Sequence, residues 1–206
     1  MSETVLGVFG FIVLMTVAIA ASRVLARFTA AKFARAMTPI AGVVEGRFST
    51  DSLTHGWLEG TYRGRRVQVT ATPGVAMYST TGKSQRYNAF EVTVLDVPGE
   101  NDWSLIWGSH TVGQIFSRDE SWRWSGENTK LRDRLRESEI VAELERFAGA
   151  GVRGFPTLRY NAREKSLTHR DNVSPAIAPT QEHFRKQLDL VLRLAQMVED
   201  THPAVA

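Results

Sequence analysis

The sequence predicts an α+β fold: a single N-terminal transmembrane helix followed by a mainly antiparallel β-sheet domain with two amphipathic helices. Three observations lead there. An uncharged apolar run opens the chain. After Pro39 come short stretches rich in Val, Phe, Trp, Tyr and Thr, divided by Gly, Asn and Asp, and two later segments carry apolar residues at helical spacing. The absence of a regular βαβ alternation argues against a parallel, Rossmann-like sheet.

From Thr4 to Ser22 the chain reads TVLGVFGFIVLMTVAIAAS, nineteen residues without a charge. At about 1.5 Å per residue this matches a hydrocarbon core of roughly 30 Å. Val5, Leu6, Phe9, Phe11, Ile12, Leu14, Val17 and Ile19 are the expected membrane-spanning side chains. A cleaved signal peptide carries its positive charge ahead of the apolar run, whereas here the leading segment is acidic and the basic residues follow. Those residues, Arg23, Arg27, Lys32 and Arg35, are expected to touch lipid headgroups. By the positive-inside rule they place the N-terminus outside and the C-terminal domain in the cytoplasm, as a single-pass protein of the cell membrane. No helix breaker stands between Ser22 and Thr38, so the helix is expected to continue as a stalk to a boundary at Pro39. The chain then divides into a transmembrane helix and stalk over 1–38, an α+β cytoplasmic domain over 39–200 and a flexible tail over 201–206. Removal of residues 1–38 is expected to leave a folded domain.

Strands are expected at Val43–Ser49, Gly56–Tyr62 and Arg65–Thr72, the last two joined by a tight turn at Arg63-Gly64. Ala89–Val97 alternates apolar and polar residues, and Trp103–Gly108 resumes after the turn at Pro98–Asp102. Polar, Ser- and Thr-rich Gly74–Asn88 reads as a long hairpin loop. One helix is expected over Thr129–Phe147, with Leu131, Leu135, Val141, Leu144 and Phe147 on its apolar side. Two strands, Thr157–Asn161 and Lys165–His169, precede a final helix capped by Thr180 and stopped by Pro203. Its apolar face is Phe184, Leu188, Val191, Leu192, Ala195 and Val198.

The net charge of +3 could indicate a nucleic-acid partner, so its location matters. Residues 1–40 hold four bases and one acid, which leaves 25 − 4 = 21 bases and 22 − 1 = 21 acids in the remainder. The excess positive charge therefore sits beside the apolar run, which argues for lipid headgroups and against nucleic acid. The chain has no cysteine, which excludes disulfides, thiol catalysis and cysteine-held metals.

Chemistry needs convergent groups, and none is evident in the motifs. His55, His110, His169, His183 and His202 are scattered without an HExxH pattern, and Ser109-His110 lacks a GxSxG elbow. Thr80-Thr81-Gly82-Lys83-Ser84 ends like a P-loop, but Met77 stands where the first glycine is needed. Acid pairs such as Asp119-Glu120 read as solvated. No catalytic, cofactor-binding or metal-binding residue is assigned, and no cofactor. The five tryptophans are the compositional oddity. Trp122 and Trp124, with Arg123 between them and Arg118 nearby, form a possible partner contact, against the plainer reading of core packing.

These features are those of a non-enzymatic accessory subunit that docks on and stabilises a larger membrane protein complex, with a bacterial photosynthetic or respiratory assembly as a plausible host. The expected partners are the bilayer and that complex. The alternative is a membrane-tethered ligand- or peptide-binding sensor domain. An enzyme built from dispersed His and acidic residues is a third reading.

Overall fold

The computed structural model describes residues 3–50, 56–76, 85–107, 122–148, 156–173 and 178–202. The chain begins with one long helix, α1 (Glu3–Ala41), which runs straight into the domain. β1 (Arg47–Thr50), β2 (Gly56–Tyr62), β3 (Arg65–Ala76), β4 (Gln85–Val94), β5 (Trp103–Trp107) and β6 (Trp122–Ser125) follow. Two short helices, α2 (Thr129–Glu137) and α3 (Ile140–Ala148), lead to β7 (Pro156–Asn161), β8 (Ser166–Val173) and the C-terminal α4 (Gln181–Thr201). Every strand pairing is antiparallel, in the order β1-β2-β3-β4-β8-β7-β5-β6. The mixed α+β class and the antiparallel sheet expected from sequence are therefore present.

The alternation of side chains along each strand gives the sheet two unlike faces. One presents Leu58, Val67, Val69, Phe90, Val92, Val94, Leu105, Leu158, Tyr160 and Leu167, all buried. Against it lies the apolar stripe of α4, in which Phe184, Leu188, Val191, Leu194, Ala195 and Val198 are buried. The other face is polar: Glu59 and Arg66 pair there, Thr93 and Thr168 share a hydrogen bond of 2.9 Å, and Arg170 approaches Glu91. Charged contacts hold α4 across the sheet, Arg65 on β3 gripping Glu199 with both terminal guanidinium nitrogens and Tyr62 on β2 donating to Asp189 at 2.8 Å.

Arg63 and Gly64, both left-handed at φ 48° and 78°, make the tight turn between β2 and β3 that the sequence predicts. Thr180 caps α4, its hydroxyl accepting from the His183 amide, also as predicted. Other expectations are corrected. The helix over Thr129–Phe147 is two helices, separated at an extended Ser138 whose amide and hydroxyl both donate to the Leu135 carbonyl. A continuous helix would turn Ile140 away from the face that carries Leu131 and Leu135. The break resets the phase, so Ile140 is buried with Leu144 and Phe147, and Val141 is only half-buried. The long loop expected over Gly74–Asn88 is shorter, because β3 continues to Ala76 and β4 starts at Gln85, in register with one another. The middle of that segment lies outside the described residues.

Pro39 does not end α1. The helix continues to Ala41, losing the hydrogen bond that a residue-39 amide would make but burying Ile40 within it and Val44 just beyond. Phe33 and Met37 also join the core, Phe33 against the ring of Phe48 at 5.3 Å between centroids. Where the chain leaves the helix, the Thr61 amide donates to the Val44 carbonyl at 2.6 Å. That approach needs Gly60, since a Cβ there would stand 2.1 Å from the same oxygen.

Candidate functional site

Among the described residues two places depart from an ordinary folded domain, and the first is α1 ahead of Phe33. A helix at the surface of a water-soluble domain buries one apolar stripe. Here Phe11, Ile12, Val13 and Leu14, which point in four directions around the axis, are all exposed. Val17 and Ile19 are exposed as well, and the basic residues Arg23, Arg27, Lys32 and Arg35 follow on the same helix, also exposed. The side chains of Val5, Leu6 and Phe9 lie outside the described residues. Among the described residues no helix is long and apolar enough to cross a membrane. The span expected from sequence is therefore not found among them.

The second place is a polar cluster inside the core. His169 and Asp171, two apart on β8, share its helix-facing side. His183 and Gln187, four apart on the first turns of α4, face them. Asp171, 4% exposed, meets His183 Nε2 at 2.7 Å. The Gln187 amide lies 2.9 Å from His169 Nδ1, and Phe147 sets its ring edge-on to both imidazoles, at 5.6 Å from His169 and 4.9 Å from His183. His169 is wholly buried. Loss of water pulls its pKa down from 6.5 to about 4, with the nearby Asp171 carboxylate opposing the fall and His183 adding to it. The imidazole is thus neutral at pH 7. Its Nε2 and the Gln187 carbonyl oxygen have no hydrogen-bond partner among the described residues.

The sequence reading treats these histidines as unrelated. The structure brings His169 and His183 together with an acid, but it adds no serine or threonine hydroxyl to them as a nucleophile among the described contacts. No group of three potential metal ligands occurs among the described residues either. The arrangement joins Asp171 to His183 by a hydrogen bond and keeps His169 uncharged. One signal could have revealed it: Gln187 falls inside the apolar stripe of the last helix, where an amide requires a buried partner.

Trp122 and Trp124 are half-buried on the helix-facing side of β6, and Trp124 stacks on Trp103 at 5.0 Å with its indole nitrogen donating to the Gly126 carbonyl. Arg123 is exposed on the opposite, polar face, so the rings and the guanidinium do not share one surface. Arg118, Ser109, His110, His55, the Thr80–Ser84 segment and Asp119-Glu120 lie outside the described residues.

These features define a class: an α+β domain whose N-terminal helix is both an apolar rod and part of the domain core. Comparison with protein-family models, with curated proteins and with solved structures finds no match to this chain.

Proposed function

We propose that the chain is a membrane-anchored, non-enzymatic accessory subunit that docks on and stabilises a larger membrane protein complex, a bacterial photosynthetic or respiratory assembly being the class of host. One observation carries the reading: the first half of α1 exposes large apolar side chains in every direction and is followed by four exposed basic residues. Water does not solvate such a rod without a large hydrophobic cost, at about 25 cal/mol per Å² of apolar surface. A bilayer does, and the uncharged run from Thr4 to Ser22 has the length that a bilayer core requires. With the basic residues on the inner side, the domain lies in the cytoplasm and the N-terminus outside. The neutral remainder of the chain, with no bias toward phosphate, fits a protein partner better than nucleic acid.

Alkaline carbonate washing of native membranes, then gentle detergent extraction and a native gel, tests the proposal. The chain should stay in washed membranes and co-migrate stoichiometrically with a large complex. Release by carbonate would overturn the anchor. Retention with migration at monomer size would overturn the accessory role and favour a membrane-tethered sensor.

A further inference from the structure

Along α1, Leu14, Val17, Ala21, Val24, Phe28 and Ala31 succeed one another at alternating steps of three and four residues. That spacing lays them on one line along the helix, the seam by which helices pack side by side. All six are exposed, Leu14 at 68%, Val17 at 62%, Val24 at 54% and Phe28 at 72%. The seam continues past the uncharged run into the basic stalk. Phe28 lies about 9 Å beyond Ser22 at about 1.5 Å per residue, at or beyond the outer limit of a headgroup layer roughly 5–8 Å thick. Lipid tails do not reach it there, and among the described residues of α1 the first to pack on the core is Phe33.

Charge selects the occupant. Arg27 and Lys32 flank the seam, one on either side, and both are exposed. In a parallel pair of helices a residue at the first flank faces the residue five positions further on in its neighbour. A second copy of this chain would therefore set Arg27 against Lys32 twice over, a repulsive contact. An antiparallel copy would have to insert with its basic stalk on the other side of the membrane. From this geometry we infer that the Leu14–Ala31 seam docks a helix of a different membrane protein, one with an apolar stripe in the bilayer and acidic residues just past its cytoplasmic boundary, opposite Arg27 and Lys32. The inference rests on the membrane-anchored reading and specifies the surface through which the host is held.

Photoreactive benzoylphenylalanine placed at position 24, 28 or 22 of the full chain in its native membranes tests it. Positions 24 and 28 lie on the seam, and Ser22 lies off it. The expected result is one adduct with a different protein from positions 24 and 28, at least about tenfold weaker from position 22. Sequencing of the adduct should find acidic residues at the end of its bilayer helix. Combining Arg27→Glu with Lys32→Glu, and leaving Arg23 and Arg35 to keep the orientation, should lower adduct yield about fivefold or more, the scale of two exposed ion pairs. Equal adducts from all three positions, an adduct of the chain with itself, no adduct, or no response to charge reversal would each overturn the inference. Carbonate washing of the same membranes keeps the two readings apart. If the chain is retained, a missing adduct rejects only the seam; if it is released, the anchor fails too.

Discussion

His169 has given up all contact with water while keeping a single described hydrogen bond, to Gln187. An unmet buried N–H or carbonyl costs on the order of 1–3 kcal/mol, so the pair of groups left without partners is a local weakness in an otherwise apolar layer. The weakness has a pH signature. Between pH 6.5 and 4 the unfolded chain carries a proton on this imidazole and the folded chain does not, so stability is complete above pH 6.5 and falls as pH drops toward 4. The loss is about 3 kcal/mol at roughly 1.4 kcal/mol per pH unit. Urea titrations across that range should show this slope in the wild type and its loss in a His169→Leu, Gln187→Leu double variant. The double variant should be more stable than His169→Leu alone, because the single change strands the amide of Gln187. Equal pH slopes in the wild type and the double variant would assign the sensitivity elsewhere. At this scale the sequence was only partly legible. It marks Gln187 as out of place in a stripe, but nothing in the spacing of residues 169 and 187 says that they meet.

Elements were more readable, because periodicity and turn chemistry are local. β2 and the turn at Arg63-Gly64 follow from alternation and from two positions that need positive φ. The cap of α4 follows from Thr180 standing just ahead of an apolar stripe. The misreadings have one physical cause, local preference overridden by burial at a distance. Ser138 breaks a helix so that two apolar stripes with different phase both reach the core, and Pro39 is carried inside a helix because Ile40 is buried next to it. A consequence concerns truncation. A fragment starting at residue 39 omits Phe33 and Met37, whereas one starting at residue 33 keeps both. The longer fragment should be the more stable by roughly 2–5 kcal/mol, the usual worth of a large buried side chain, as read from urea midpoints. Equal midpoints would mean that the end of α1 contributes little to the core.

At the scale of the whole molecule, the sheet order was not legible. β8 sits between β4 and β7, and β5 pairs with β7 across a long stretch of chain. Those neighbours are distant in the sequence, and no pair of segments advertises the match. Among the described residues the order produces one apolar face covered by helices and one polar face without a helix on it, with α1 entering at the β1 and β2 end. The apolar and basic run of α1 was the part of the candidate site that the sequence did show, since composition alone reports it.

Because α1 runs into the core as one continuous helix, a domain anchored by α1 in the way proposed would have no freedom to swivel. On that proposal its heading about the membrane normal would be set by the number of residues between the bilayer and Phe33. One residue added between Lys32 and Phe33 would turn the domain by about 100° and raise it by about 1.5 Å, whereas seven would restore the heading to within about 20° while raising it by about 10 Å. If a host complex grips the domain as well as the anchor, the single insertion should abolish co-migration on the native gel and the seven-residue insertion should largely restore it. If the single insertion is tolerated, the domain hangs free, and the helix alone does the holding.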